Sequence, residues 1–83
     1  MQIIVRVNGV LVQKVGAARL SLVVADGATV ADLLRVLVEQ HPQVAAEVAR
    51  AVVVVAGVHV EKTAVLSPNQ EVALLLPVAG GEL

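Results

Sequence analysis

The chain has 83 residues, no cysteine, no aromatic residue and a formal net charge of −1. This length fits one domain with its own core, and the absence of thiols excludes disulfides and thiolate metal ligands. A nearly neutral chain without Phe, Tyr or Trp argues against nucleic-acid binding, and its longest apolar run, residues 51–58, is too short to span a membrane. We expect an unexported, cytoplasmic protein that binds neither nucleic acid nor membrane.

The first part of the chain predicts strands separated by a turn. Residues 2–7 alternate between apolar and polar side chains, which is typical of a half-buried strand. Asn8-Gly9 is a common hairpin turn, so residues 10–14 could return as the partner strand. Residues 19–24 alternate again and predict a further strand.

The main helix is predicted over residues 30–40. Thr29 is a suitable N-cap, and Asp32 places a negative charge in the first turn, where the helix dipole favours it. The helix has one apolar stripe, formed by Val30, Leu33, Leu34, Leu37 and Val38. His41-Pro42 ends the helix, and a short second helix over about residues 43–49 is plausible.

The remaining elements complete an α+β pattern. Residues 52–55 are a continuous β-branched run, which predicts a strand covered on both faces. Residues 58–60 predict a short strand and residues 71–76 the last one, with Leu75 facing away from the helix. This order predicts a mixed sheet of four to five strands with one main helix packed on one face, and with the first and last strands adjacent at the centre.

The C-terminal segment is the candidate for chemistry. We interpret residues 1–76 as the domain and residues 77–83 as a flexible tail that carries Gly80-Gly81. Two residues without a Cβ can extend through a channel too narrow for other side chains, although small residues near a chain end are by themselves a weak signal. Because Glu82-Leu83 follows, Gly81 carries a peptide carbonyl in the chain as written.

Two segments resemble a known family. Residues 26–34, DGATVADLL, are similar to the family's entry into its main helix, and residues 69–81, NQEVALLLPVAGG, are similar to its acidic turn, last strand and Gly-Gly tail. On these motifs the chain resembles the MoaD/ThiS sulfur carriers over essentially its full length, and most closely the small subunit of molybdopterin synthase. The resemblance implies a ubiquitin-like β-grasp fold. In the stretch from Asn8-Gly9 to Gly16 it implies a short helical turn, which competes with the hairpin.

The resemblance implies a carrier and not a self-sufficient enzyme. A MoeB-like, E1-like adenylating enzyme would use ATP to activate the carboxylate of Gly81, while Gly80 keeps the approach free of side chains. Sulfur would then give a thiocarboxylate, which a MoaE-like large subunit would use in molybdenum cofactor biosynthesis. The chain itself would bind no cofactor. Activation requires that Glu82-Leu83 be removed by a protease or be an artificial addition; otherwise the chain cannot be activated.

The partners would need a docking surface. The predicted contact residues are Val7, His59, Leu75, Leu76, Pro77, Val78 and Ala79. The two histidines are isolated, so we expect no metal site, and we interpret Lys14 and Lys62 as solvated surface charges. Two alternatives remain open: a carrier or ubiquitin-like modifier for another pathway, such as thiamine synthesis, tRNA thiolation or lysine conjugation, and an inert, redesigned or simplified β-grasp domain.

Overall fold

The computed structural model describes residues 1–77, which form a five-stranded mixed sheet with helices packed on one face. The elements are β1 (Gln2–Val7), α1 (Val10–Val15), β2 (Arg19–Val23), α2 (Val30–Gln40), a 3-10 turn (Pro42–Val44), α3 (Ala45–Arg50), β3 (Val52–Val55), β4 (Val58–His59) and β5 (Glu71–Leu75). The strand order is β2-β1-β5-β3-β4, with β1 and β5 parallel and the other pairs antiparallel. The predicted β-grasp architecture is therefore confirmed.

The main helix begins and ends where the sequence predicts. The Thr29 side chain accepts a hydrogen bond from the Asp32 N–H (3.3 Å), and the Thr29 N–H donates to the Asp32 carboxylate (3.0 Å). This reciprocal pair satisfies two of the free N–H groups at the helix start. The Thr29 backbone hydrogen bond, assisted by Arg35, holds the pKa of Asp32 below its usual value.

The core lies between the helices and one face of the sheet. It is filled by aliphatic side chains alone, since the chain has no aromatic residue. The largest fully buried side chains are Ile3, Val5, Leu11, Val30, Leu33, Leu37, Val44, Val72 and Leu74. The strands contribute alternate residues to this set. The predicted stripe of α2 is buried in the core, apart from Val38, which is only half-buried. Among residues 1–77, no helix combines the length and apolar character that a membrane span requires.

Of the two alternatives for the stretch after β1, the hairpin is wrong and the short helical turn is right, because residues 10–15 form the helix α1. A type I′ turn needs two successive residues with positive φ. Gly9 has a φ of 58° with a ψ of −130°, but Asn8 is not among the residues with positive φ. The chain therefore turns into a helix, which buries Leu11 completely against the core.

The prediction that β3 is covered on both faces is also wrong. Val53 faces the core and is 3% exposed, whereas Val52 on the other face is 36% exposed. The helices cover only one face of the sheet. The β-branched run therefore reflects the strand propensity of valine and does not indicate that both faces are buried. The opposite face of β3 remains accessible.

Lys14, interpreted as a solvated surface charge, is exposed but is also ion-paired. The Lys14 ammonium group donates a hydrogen bond to the Glu47 carboxylate (2.9 Å) and approaches the Gln43 carbonyl (3.3 Å). The Gln43 side-chain amide donates in return to the Lys14 carbonyl (3.0 Å). Because Glu47 is only 8% exposed, these contacts fasten α1 to α3.

This contact predicts a pH dependence of stability. The Lys14 hydrogen bond lowers the pKa of Glu47 from its ordinary value of 4.5. A lowered folded-state pKa stabilises the fold above the unfolded-state value, and this contribution is lost as the pH falls through the folded pKa. We therefore expect Glu47→Gln to be less stable than the original chain near neutral pH, with the difference shrinking as the solution is acidified.

The measurement is the urea unfolding midpoint between about pH 3 and pH 7. Glu61→Gln, which changes an exposed carboxylate, is the matched control and should follow the original chain at every pH. If the Glu47→Gln difference stays constant across this range, the carboxylate does not contribute through its ionisation.

Candidate docking face and C-terminal exit

The strand registers place alternate residues on the sheet face that the helices leave uncovered, which we call the open face. Its members on the five strands are Gln2, Ile4, Arg6, Arg19, Ser21, Val23, Val52, Val54, His59, Glu71, Ala73 and Leu75. None of these side chains belongs to the buried core. A sheet with one uncovered face offers a broad, rigid surface for contact with another molecule.

One part of the open face is aliphatic, and we call Val52, Val54, Ala73 and Leu75 its apolar half. These residues lie on two adjacent strands, with Val52 paired to Leu75 and Val54 paired to Ala73. Leu75 is 41% exposed, which confirms its predicted position on the face away from the helix. Four adjacent aliphatic side chains form a contiguous patch, which is more informative than a single exposed leucine.

The other part carries charge, and we call Arg6, Arg19 and Glu71 its charged half. Arg6 and Arg19 are directly opposite each other on β1 and β2, an arrangement that is destabilising for like charges. Glu71 on β5 offsets the repulsion, because its Oε2 atom lies 3.2 Å from a guanidinium nitrogen of each arginine. The three side chains therefore form one ion cluster across three strands.

Shallow depressions lie at the junction of the two halves. One of about 340 Å³ is lined by Arg6 and Glu71 from the charged half and by Val54 and Ala73 from the apolar half. Another of about 240 Å³ lies beside Leu75. In the part of the chain that the structure describes, no three metal-ligating side chains cluster. The geometry favours a contact surface.

The chain leaves the sheet next to this face. After β5, Leu76 is half-buried and packs against the core, and its N–H donates to the side-chain oxygen of Asn8 at 3.4 Å. Pro77 is exposed and is the last described residue. The Asn8 side chain thus contacts the residue that directly precedes the predicted tail. The predicted contact residues Val78 and Ala79 and the predicted reactive residues Gly80 and Gly81 lie outside the described residues, as do Glu82 and Leu83.

The other two predicted contact residues, His59 and Val7, lie on opposite faces of the sheet. His59 is exposed on β4 and shares the open face with Leu75, with β3 between them. Val7 is 7% exposed and pairs in register with Leu74, so its side chain faces the core. The assignment of Val7 to a docking surface is therefore corrected. Four residues of this site were not predicted from the sequence, namely Asn8, Arg6, Arg19 and Glu71.

A protein-family model and several solved structures match this chain. A model of the ThiS family matches residues 5–81. SAMP1 from Haloferax volcanii is 25% identical with a TM-score of 0.88, the match covering 98% of this chain and 100% of that one. The Haloferax volcanii HVO 2177 protein is 26% identical with a TM-score of 0.83, over 98% and 87% of the two chains.

A Pyrococcus furiosus protein, proposed to be subunit 1 of a molybdopterin converting factor, has the same fold. It is 21% identical with a TM-score of 0.84, over 94% of this chain and 99% of that one. A search of curated protein sequences gave no significant match.

Proposed function

We propose, because the chain belongs to the ThiS family, that it carries sulfur as a thiocarboxylate on Gly81 and donates it in molybdopterin synthesis. The group to which it belongs comprises small sulfur carriers and ubiquitin-like modifiers, which are not catalysts by themselves. The observation that carries the proposal is the extent of the family match, which includes Gly81 and stops before Glu82. This extent of the match supports Gly81 as the residue that carries the acyl group.

The proposed chemistry begins after Glu82-Leu83 has been removed. A carboxylate oxygen of Gly81 attacks the α-phosphorus of ATP in the adenylating partner and releases pyrophosphate. The acyl-adenylate is a better electrophile than the carboxylate, since AMP is a good leaving group. A sulfur nucleophile then forms the C–S bond and expels AMP. The chain supplies the acyl group and its presentation, and the partner supplies the catalytic groups.

The geometry supports presentation of the acyl group to another protein. The last strand ends beside the apolar half of the open face, and Asn8 holds the residue that follows it. A partner that docks on Leu75 and its neighbours would therefore lie close to the point where the tail begins. Pro77 fixes its own φ near −65° and so limits the directions of the following residues.

The molybdopterin pathway is the finer part of the proposal. It rests on the similarity of the sequence Pro77-Val78-Ala79-Gly80-Gly81 to the tail of molybdopterin synthase small subunits. The large subunit of that enzyme would receive the thiocarboxylate and transfer its sulfur to the pterin precursor. Binding to a MoaE-like subunit is the direct test of this part.

A ubiquitin-like modifier is the second candidate, favoured by the full-length similarity to SAMP1, a small archaeal modifier protein. In that case a lysine amine of a target protein would displace AMP from the acyl-adenylate and form an isopeptide bond. Both candidates use the same activated Gly81. They differ in the acceptor, so sulfur incorporation and protein conjugates are the distinguishing products.

The proposal is tested by measuring intact masses after incubation with a MoeB-like adenylating enzyme, ATP and a sulfide donor. We expect the chain ending at Gly81 to gain the mass difference between sulfur and oxygen. The chain that retains Glu82-Leu83 should not gain it, and a chain ending at Ala79 is the matched control for the loss of both glycines.

Two results would count against the proposal. If the chain ending at Gly81 never becomes thiocarboxylated, the carrier function is wrong. If the chain that retains Glu82-Leu83 reacts without losing them, Gly81 is not the reactive residue.

A further inference from the structure

We infer that the adenylating partner docks on the open face in one orientation, with an acidic side chain against Arg6 and Arg19 and an aliphatic surface against the apolar half. The inference rests on the proposed function for the class of partner. It adds the chemistry of the partner's contacting surface and the residues that select it.

The open face has the opposite sign of charge to the rest of the chain that ends at Gly81. Outside this face, that chain carries four Lys and Arg residues against five Asp and Glu residues, a net charge of −1. The charged residues of the open face are Arg6, Arg19 and Glu71, two positive and one negative. Because the arginine side chains are 60% and 66% exposed, this face attracts an acidic surface.

The arginines retain donors for an incoming carboxylate. A guanidinium has five N–H donors in a fixed fork. Within residues 1–77, Arg6 reaches Glu71 through Nε and Arg19 reaches it through Nη2, both at the same carboxylate oxygen. The terminal nitrogens of Arg6 therefore remain for a paired contact with a second carboxylate, which is the strongest geometry for this pair of groups.

Glu71 positions the two guanidinium groups before a partner arrives. It anchors both arginines to β5, so a partner need not supply all the conformational entropy that ordering two long side chains costs. Its own charge balances only one of the two arginines. The cluster therefore keeps a net positive charge, which repels a basic side chain of a partner. A carboxylate is the group of a partner that this cluster favours.

The apolar half fixes the orientation. Val52, Val54, Ala73 and Leu75 offer no charged group, so a carboxylate placed over them would lose water without gaining a partner. Rotating the partner by half a turn on the face would place its acidic group there and its aliphatic groups over the arginines. The two halves thus discriminate between orientations, as complementary and unfavourable contacts do in other specific interfaces.

The test measures binding of the chain ending at Gly81 to a purified MoeB-like adenylating enzyme without ATP, by stopped-flow mixing at low and high salt. The variant Arg6→Gln/Arg19→Gln removes both cations and keeps a polar, unbranched side chain at each position. We expect its association rate to fall about tenfold at low salt and to approach that of the original chain at high salt, because exposed charges at an interface act mainly on encounter.

Arg35→Gln/Arg50→Gln, which changes two exposed arginines on α2 and α3, is the matched control for net charge. It should bind like the original chain. Urea unfolding of both double variants verifies that each is folded under the assay conditions. In the partner, a complementary acidic residue should be identified by a lysine substitution that reduces the rate for the original chain but not for the Arg6→Gln/Arg19→Gln variant.

The outcomes separate this inference from the proposed function. Equal loss of rate in both double variants, no loss in either, or no binding by the original chain would overturn the inference. Normal arginine-dependent binding without a thiocarboxylate product would instead leave the inference standing and contradict the proposed chemistry.

Discussion

Replacing Leu33 with alanine is expected to lower the free energy of unfolding by about 2 to 5 kcal/mol. Leu33 lies on the buried stripe of α2 and is completely inaccessible to solvent. Its loss removes buried aliphatic surface and leaves a cavity, and the surrounding core has no aromatic side chain that could swing into the space. Small domains have about 5 to 15 kcal/mol of stability, so this single change should remove a large share of it.

The measurement is urea unfolding monitored by circular dichroism. An unchanged dependence of the free energy of unfolding on urea concentration checks two-state behaviour. Val23→Ala is the control, because Val23 is 73% exposed on β2 and its truncation should change stability by about 0.5 kcal/mol or less. Similar losses for Leu33→Ala and Val23→Ala would show that α2 does not pack on the sheet as described.

Replacing Leu75 with aspartate is expected to weaken binding to the proposed adenylating partner by about 30-fold, equivalent to about 2 kcal/mol. Leu75 is the largest side chain of the apolar half, and it lies where the last strand approaches the tail. In a complex, an aspartate at this position would lose water against an aliphatic surface without a compensating cation. The fold should survive, since Leu75 is 41% exposed.

The measurement is the dissociation constant by titration calorimetry, together with the urea midpoint of each variant. Val65→Asp is the matched control, because Val65 is an aliphatic residue that is 66% exposed and lies outside the sheet strands. Equal affinities for Leu75→Asp and the original chain would exclude the apolar half from the interface. Unfolding of Leu75→Asp alone would place this side chain in the core.

The elements set by local sequence were the ones that could be predicted. The helix α2 was found with its observed bounds because its N-cap, its stripe and its terminating proline all lie within a few residues of it. The position of Leu75 followed from simple alternation along β5. The same alternation places Val7 with Ile3 and Val5 on the core face, so its assignment to a docking surface overlooked a signal that the sequence contains.

Features that depend on distant parts of the chain were missed. The pairing of Lys14 with Glu47 joins residues 33 positions apart, and no local pattern marks either one. The Asn8-Gly9 turn signal favoured a hairpin after β1, while the family resemblance favoured a short helical turn. The helical spacing of Leu11, Val12 and Val15 could have decided for the helix. The uncovered face of β3 is decided by where the helices pack, which a β-branched run does not reveal.

The charged half of the open face could be predicted only in part. Outward positions on β1, β2 and β5 could be assigned from alternation, and the adjacency of the first and last strands was predicted. The contact of Glu71 with both Arg6 and Arg19 also requires the register of each strand pair. A shift by one residue would place one of these side chains on the opposite face.

The parallel pairing of β1 with β5 has a consequence for synthesis of the protein. Ile4 pairs with Glu71, so the centre of the sheet joins residues that the ribosome adds 67 positions apart (71 − 4). A nascent chain that stops before β5 leaves β1 and β3 with unpaired edges, which are prone to associate with other strands. Translation therefore delivers the finished sheet and the start of the predicted tail nearly together, and a chain whose synthesis ends early has neither.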